Sequence, residues 1–166
     1  MVFAAIDIGS NAIRLLFCRV YNVDGKPHYS KEELFRMPIR LGEDVFLQGK
    51  ITVQKADRLI TALKGYSELI KAYGVEKYRA VATSAMRDAS NGAEIIARVK
   101  SEAGIEVEII DGKNEAALVF SNHIEELLNP KHAYLYIDVG GGSTEITLYY
   151  ENKVVASRSF DIGTVR

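Results

Sequence analysis

The sequence predicts an α/β fold, and three observations carry that prediction. Apolar runs rich in β-branched residues open the chain and dominate its last third. Between them, segments with helical three- and four-residue spacing alternate with short strand-like segments, the pattern of α/β proteins. A strand, an Asp-x-Gly turn and a second strand occur twice, at Ile6-Asp7-Ile8-Gly9-Ser10-Asn11 and at Ile137-Asp138-Val139-Gly140-Gly141-Gly142-Ser143. Such an echo assigns one hairpin to the start of each of two domains. The first domain is expected over residues 1–127, and residues 128–166 are expected to be the opening three strands of a truncated second. The last residues, Phe160 to Arg166, run from a strand into a turn without a polar tail, as a fragment would.

Each element follows from local chemistry. Residues 3–8 are apolar and run into Gly9-Ser10-Asn11, a buried strand ending in a tight turn. Residues 12–21 pair back on it, and Asp24-Gly25 supplies the positive dihedrals the next hairpin needs. A more polar edge strand is expected over 27–35, with residues 39–43 in a loop. Thr52 opens the clearest helix, in which Val53, Ala56, Leu59, Ile60, Leu63, Tyr66, Leu69, Ile70 and Tyr73 form one stripe. Gly74 ends it. A strand at 78–82 leads into a helical stretch opened by Thr83-Ser84. Asn91-Gly92 breaks that stretch, so a continuous helix is expected over 93–103. A strand over 105–110 and a helix over 114–127 follow. Beyond Asn129-Pro130, strands are expected at 133–139, 144–150 and 154–160.

Composition narrows the function. The chain of 166 residues is 48% hydrophobic and 26% charged, with 21 Lys+Arg against 22 Asp+Glu. Near-neutral charge argues against a general nucleic-acid binder or an anionic-membrane binder. No apolar stretch reaches the roughly 18 residues that would span a bilayer. Cys18 is the only cysteine, which excludes an intrachain disulfide and a multi-thiolate zinc site. A reducing cytoplasm is the expected setting. His28, His123 and His132 lack metal-ligand spacing, and Cys18 is expected to be a buried thiol.

The two glycine turns carry the chemistry. Small residues between buried strands let backbone N–H groups point outward at one end of a sheet, and such concavities bind phosphate. Ser10, Asn11, Ser143 and Thr144 add side-chain donors beside Gly140, Gly141 and Gly142. Asp7 and Asp138 would repel phosphate directly, so a divalent cation or water is the natural mediator, with Mg²⁺ matching oxygen ligands. No Lys follows the glycines, which excludes a P-loop. A strand rather than a helix follows each turn, which excludes the dinucleotide fingerprint.

These motifs resemble those of the exopolyphosphatase/guanosine pentaphosphate phosphatase family. Ala5-Ile6-Asp7-Ile8-Gly9-Ser10-Asn11 with Arg14-Leu15-Leu16 looks like its first phosphate motif, and residues 137–145 look like its second. Arg40-Leu41-Gly42-Glu43, Ala82-Thr83-Ser84-Ala85-Met86-Arg87, Gly112-Lys113-Asn114-Glu115-Ala116 and Gly163-Thr164-Val165-Arg166 match further segments in family order. The resemblance implies an actin-like ATPase (ribonuclease-H-like) architecture, a mixed sheet flanked by helices followed by the first strands of a second similar domain. It also implies release of terminal phosphate from inorganic polyphosphate or guanosine pentaphosphate. By the same resemblance, Glu115 is the catalytic base, and Asp138 and Glu145, with Asp7 through water, hold Mg²⁺ (or Mn²⁺). Arg87, Ser10, Asn11, Gly140, Gly141, Gly142, Ser143 and Arg14 contact phosphate. Two departures are Ala12, where the family commonly has a hydroxyl, and Asn114, where it often has a glutamate.

Two other classes share the turns: an actin-type ATP-binding module, such as a sugar kinase or chaperone ATPase half, and a non-catalytic guanosine polyphosphate sensor. The expected assembly is a homodimer, because an unfinished sheet leaves an unpaired edge and apolar faces.

Overall fold

Alternating burial decides the first sheet. The computed structural model describes residues 1–112, 114–115, 129, 131–151 and 153–166. β1 (Val2–Ile8) turns Val2, Ala4, Ile6 and Ile8 to the core and Asp7 to the opposite face. β2 (Ile13–Val23) buries Ile13, Leu15 and Phe17 on that same core face. β3 (Lys26–Met37) closes an antiparallel ladder on β2, while β4 (Lys77–Ala82) and β5 (Glu108–Ile109) extend the sheet in parallel beyond β1. The sheet is therefore mixed, in the order β3-β2-β1-β4-β5.

Helices cover the core face. α2 (Val53–Ala72) buries Ala56, Leu59, Ile60, Leu63 and Tyr66 of the predicted stripe, with Leu69 and Ile70 partly buried, whereas Val53 at its start is 74% exposed. Thr52 caps it, its hydroxyl accepting from the Lys55 N–H at 3.4 Å while donating to Asp44 at 2.6 Å. α4 (Gly92–Ala103) adds Ile95, Val99 and Ala103 to the same core. Between β4 and α4 lies α3 (Ser84–Asp88), a short helix with Ser84, Ala85 and Met86 buried.

The structure corrects several boundaries. Residues 39–43 are not all loop, because α1 (Leu41–Gln48) begins inside them. This helix is too short to show a stripe, and tertiary contacts hold it: Leu41 and Val45 enter the core, and the Asp44 carboxylate accepts from the Thr52 N–H. β3 runs two residues beyond its expected end, at Met37. The strand over 105–110 shrinks to Glu108–Ile109, because Ile105 packs into the helix-covered core instead of joining the ladder. Of the helix over 114–127, Asn114 and Glu115 are helical, and residues 116–127 lie outside the described residues, as does the expected domain boundary. Cys18 is half-buried rather than buried.

A second sheet, β6-β7-β8, is an antiparallel meander of β6 (Tyr134–Val139), β7 (Thr144–Tyr150) and β8 (Lys153–Phe160). Its two faces differ. Asp138, Glu145 and Ser159 share one face in register, whereas Leu135, Ile137 and Val139 stand on the other at 60%, 54% and 57% exposure. Among the described residues, no helix is long and apolar enough to cross a membrane.

Candidate active site

The two glycine turns have the same geometry. In the first, the Gly9 N–H donates to the Ala12 carbonyl at 3.1 Å; in the second, the Gly140 N–H donates to the Ser143 carbonyl at 2.8 Å. Ala12 thus occupies the position of Ser143, and the internal echo read from sequence is a structural repeat. Each turn also has its carbonyls tied from behind, as buried peptide groups require. The Gly42 and Arg40 N–H groups donate to the Ser10 and Asn11 carbonyls, both at 2.8 Å. The Thr164 and Val165 N–H groups donate to Gly140 and Gly141, at 3.0 and 2.8 Å. Both turns line the same cleft, of about 400 Å³.

The turns meet over a pair of serines. The Ser10 and Ser84 hydroxyls are 2.9 Å apart and buried, and the Ala85 N–H donates to Ser10 Oγ at 3.2 Å. Gly142 lies directly against this pair. A Cβ there would stand 2.6 Å from the Phe46 ring and 2.8 Å from Ser10 Oγ, with Ser84 Oγ closer still. Only glycine permits this approach.

Charge differs between the two repeats. Asp7 lies opposite Arg14 in the β1–β2 register, and the guanidinium donates to its carboxylate at 2.6 Å. Asp138 lies opposite Glu145 in the β6–β7 register. Burial first, then the Glu145 charge, pushes the Asp138 carboxyl above its ordinary value. Glu145 is buried and accepts from the Ser159 hydroxyl at 2.8 Å.

Glu115 enters the cleft from the first turn of a helical segment. Asp111 caps that turn: its carboxylate accepts from the Asn114 N–H at 2.8 Å and its carbonyl from the Glu115 N–H at 2.9 Å. A helix N-terminus alone would lower a glutamate pKa. Here burial dominates, reinforced by Glu145, Asp7 and Asp138 and opposed by Arg87, and the carboxyl is pushed up to about 7. Its Oε2 is buried without a hydrogen-bond partner among the described residues. A buried carboxylate oxygen of elevated pKa, in a cleft lined by the two glycine turns, is the feature a functional site produces.

A family model for the Ppx/GppA phosphatase family matches residues 26–166. The chain belongs to the Ppx/GppA phosphatase family. Exopolyphosphatase 2 of Mycobacterium tuberculosis is 39% identical over 170 residues, which cover 98% of this chain and 52% of that protein. The bifunctional 3-dehydroquinate synthase/phosphatase of Fusobacterium nucleatum is 34% identical over 98% of this chain and 25% of its own length. Among solved structures, the Aquifex aeolicus Ppx/GppA family member has a TM-score of 0.81 at 35% identity, covering 99% of this chain and 52% of that one. An exopolyphosphatase from Cytophaga hutchinsonii has a TM-score of 0.85 at 32% identity, covering 98% and 51%. The chain spans about half the length of the exopolyphosphatase relatives it matches. Its fold is that of the Ppx/GppA proteins.

Within this Ppx/GppA chain, the cleft gathers Asp7, Ser10, Asn11, Arg14, Glu115, Asp138 and residues 140–143. Arg87 is placed differently. It stands outside the cleft lining, its Nη1 donating to the Ile110 carbonyl at 3.0 Å, although its charge still acts on Glu115. Asp7 is held by Arg14, and among the described residues no group of three His, Cys, Asp or Glu side chains is set to hold a metal. Glu145 lies just behind the cleft lining, beside Asp138. Sequence reading assigned no role to Ser84, Phe46 or Asp88. Ser84 sits in a matched motif and was within reach; Phe46 and Asp88 carry no motif signal.

Proposed function

We propose that this chain carries the catalytic groups of an exopolyphosphatase-type hydrolase that removes terminal orthophosphate from inorganic polyphosphate. The buried Glu115 carboxyl beside the two turns, its Oε2 without a partner among the described residues, is the observation that supports it most directly. Phosphoryl transfer asks the protein for positioning and charge stabilisation more than for covalent chemistry. The N–H groups of the two turns and Arg14 hold the terminal phosphate oxygens. Glu115 accepts a proton from water as the water oxygen bonds to phosphorus. The bridging P–O bond breaks, and the shortened chain departs with its electron pair.

Asp138 and Glu145 fit a divalent cation: they face each other, burial and then the Glu145 charge raise the Asp138 carboxyl, and no side-chain cation bonds either among the described residues. Mg²⁺ or Mn²⁺ held there would neutralise phosphate charge. Asp7, already paired, is at most an indirect contributor. Inorganic polyphosphate is favoured over guanosine pentaphosphate because the described cleft lining contains no aromatic side chain to stack on a base. Self-association through the uncovered face of the second sheet accompanies this reading, in a cytoplasmic setting.

The test is orthophosphate release by the chain with Mg²⁺, offered long-chain polyphosphate, guanosine pentaphosphate and ATP. Release from polyphosphate that Glu115→Gln abolishes is the expected result. Turnover of ATP alone would favour the actin-type module. Tight guanosine polyphosphate binding without turnover would favour the sensor.

A further inference from the structure

The segment behind the second glycine turn reaches back to α1 and α3 through the Arg166 side chain. Thr164 and Val165 bind the carbonyls of Gly140 and Gly141, and the Arg166 N–H adds a second bond to Gly141 at 3.2 Å. Gly163 follows the turn so closely that a Cβ there would stand 2.5 Å from the Gly141 carbonyl carbon. The Arg166 side chain then crosses to the other lobe. Its guanidinium pairs with Asp88 at the end of α3 and lies over the Phe46 ring of α1, 4.3 Å from the centroid. A second carboxylate, Asp161, stands 3.4 Å away.

Both anchor residues lead back to the cleft. Phe46 is the ring that lies against Gly142, and Val165 lies against Gly42, whose N–H braces Ser10. Asp88 also stands 3.5 Å from the Arg87 Nε, so one carboxylate serves both arginines. The brace of the first turn and the brace of the second therefore touch, and Arg166 fastens them.

We propose that Arg166 is a positioning residue that sets the spacing of the two glycine turns by clasping Asp88 and Phe46. It touches no substrate atom; it holds the 164–166 segment so that the second turn keeps its carbonyls turned away from the cleft. This rests on the phosphate-binding reading only for its consequence, since the clasp itself is defined without ligand.

Two measurements on the chain test it. Without ligand, amide hydrogen exchange of residues 140–143 should rise about tenfold in Arg166→Ala and Asp88→Asn, with α2 protection unchanged as the internal reference for folding. With Mg²⁺, tripolyphosphate binding by calorimetry should weaken about tenfold in both, which is about 1.4 kcal/mol. Arg166→Lys keeps the charge but loses the planar fork, so it should fall between wild type and Arg166→Ala in both readouts. Unchanged exchange at 140–143 in both variants overturns the proposal. If the wild-type chain binds no tripolyphosphate, the phosphatase reading fails, and the exchange data still decide the clasp.

Discussion

Arg14 donates to Asp7 across the β1–β2 ladder at 2.6 Å, at the position where the second repeat places Glu145 opposite Asp138. One repeat neutralises its aspartate internally; the other doubles the acid. A hairpin used twice has acquired two electrostatic roles through a single cross-strand position, the ladder neighbour that always stands closest.

Divalent-ion binding should follow that asymmetry. Glu145→Gln should weaken Mn²⁺ binding, measured by water proton relaxation, by about tenfold or more, whereas Asp7→Asn should change it by less than about twofold. Equal losses in the two variants would mean that Asp7 is a ligand despite Arg14. The Asp7–Arg14 pair is solvent-facing, so Arg14→Ala should cost no more than about 1 kcal/mol of stability in urea unfolding.

The Glu115 carboxyl, raised to about 7 from an ordinary 4.5, makes two pH predictions of opposite sign. As a base it must be ionised, so phosphate release should rise as pH climbs through about 7, and Glu115→Gln should abolish it. For stability, the folded state retains this proton between pH 4.5 and about 7 while the unfolded chain has lost it. Its contribution is therefore full below pH 4.5 and lost as pH rises through about 7. The thermal midpoint of wild type relative to Glu115→Gln should fall across that window. A flat difference would show that Glu115 is not buried as described.

Two glycines should respond oppositely to alanine. Gly142→Ala drives a methyl into Phe46, Ser10 and Ser84, and should cost about 1–3 kcal/mol while weakening tripolyphosphate binding. Gly65 lies exposed within α2 with nothing near its would-be Cβ, so Gly65→Ala should stabilise the chain by about 0.5–1 kcal/mol. Chemical denaturation of the two variants checks both signs.

Leu135, Ile137 and Val139 leave an apolar face of the second sheet in water. Light scattering should show concentration-dependent association that Ile137→Lys reduces. A wild-type chain that remains monomeric at high concentration would count against self-association through this face.

Much of this was legible in the chain itself. The α2 stripe from Ala56 to Tyr66 announced a helix because burial there is periodic and local. Asp7-x-Gly9 and Asp138-x-Gly140 announced matching turns because each turn is closed by its own short hairpin. α1 was missed because what stabilises it, Asp44 accepting from Thr52 and Val45 in the core, spans elements rather than neighbours. The Nη1 of Arg87 bonds the Ile110 carbonyl, a partner that parallel pairing of β4 and β5 brings into reach and that no motif announces.

The sequence by itself determined the α/β class, the family and the two glycine turns, because spacing and turn chemistry act over a few residues. Tertiary structure alone decided the electrostatics and the spacing of the site. The raised carboxyl of Glu115 and the contact of Gly142 with Ser84 depend on groups that distant segments bring together. Coulomb and desolvation energies follow distance in space and exposure to water, and neither is written in the order of residues.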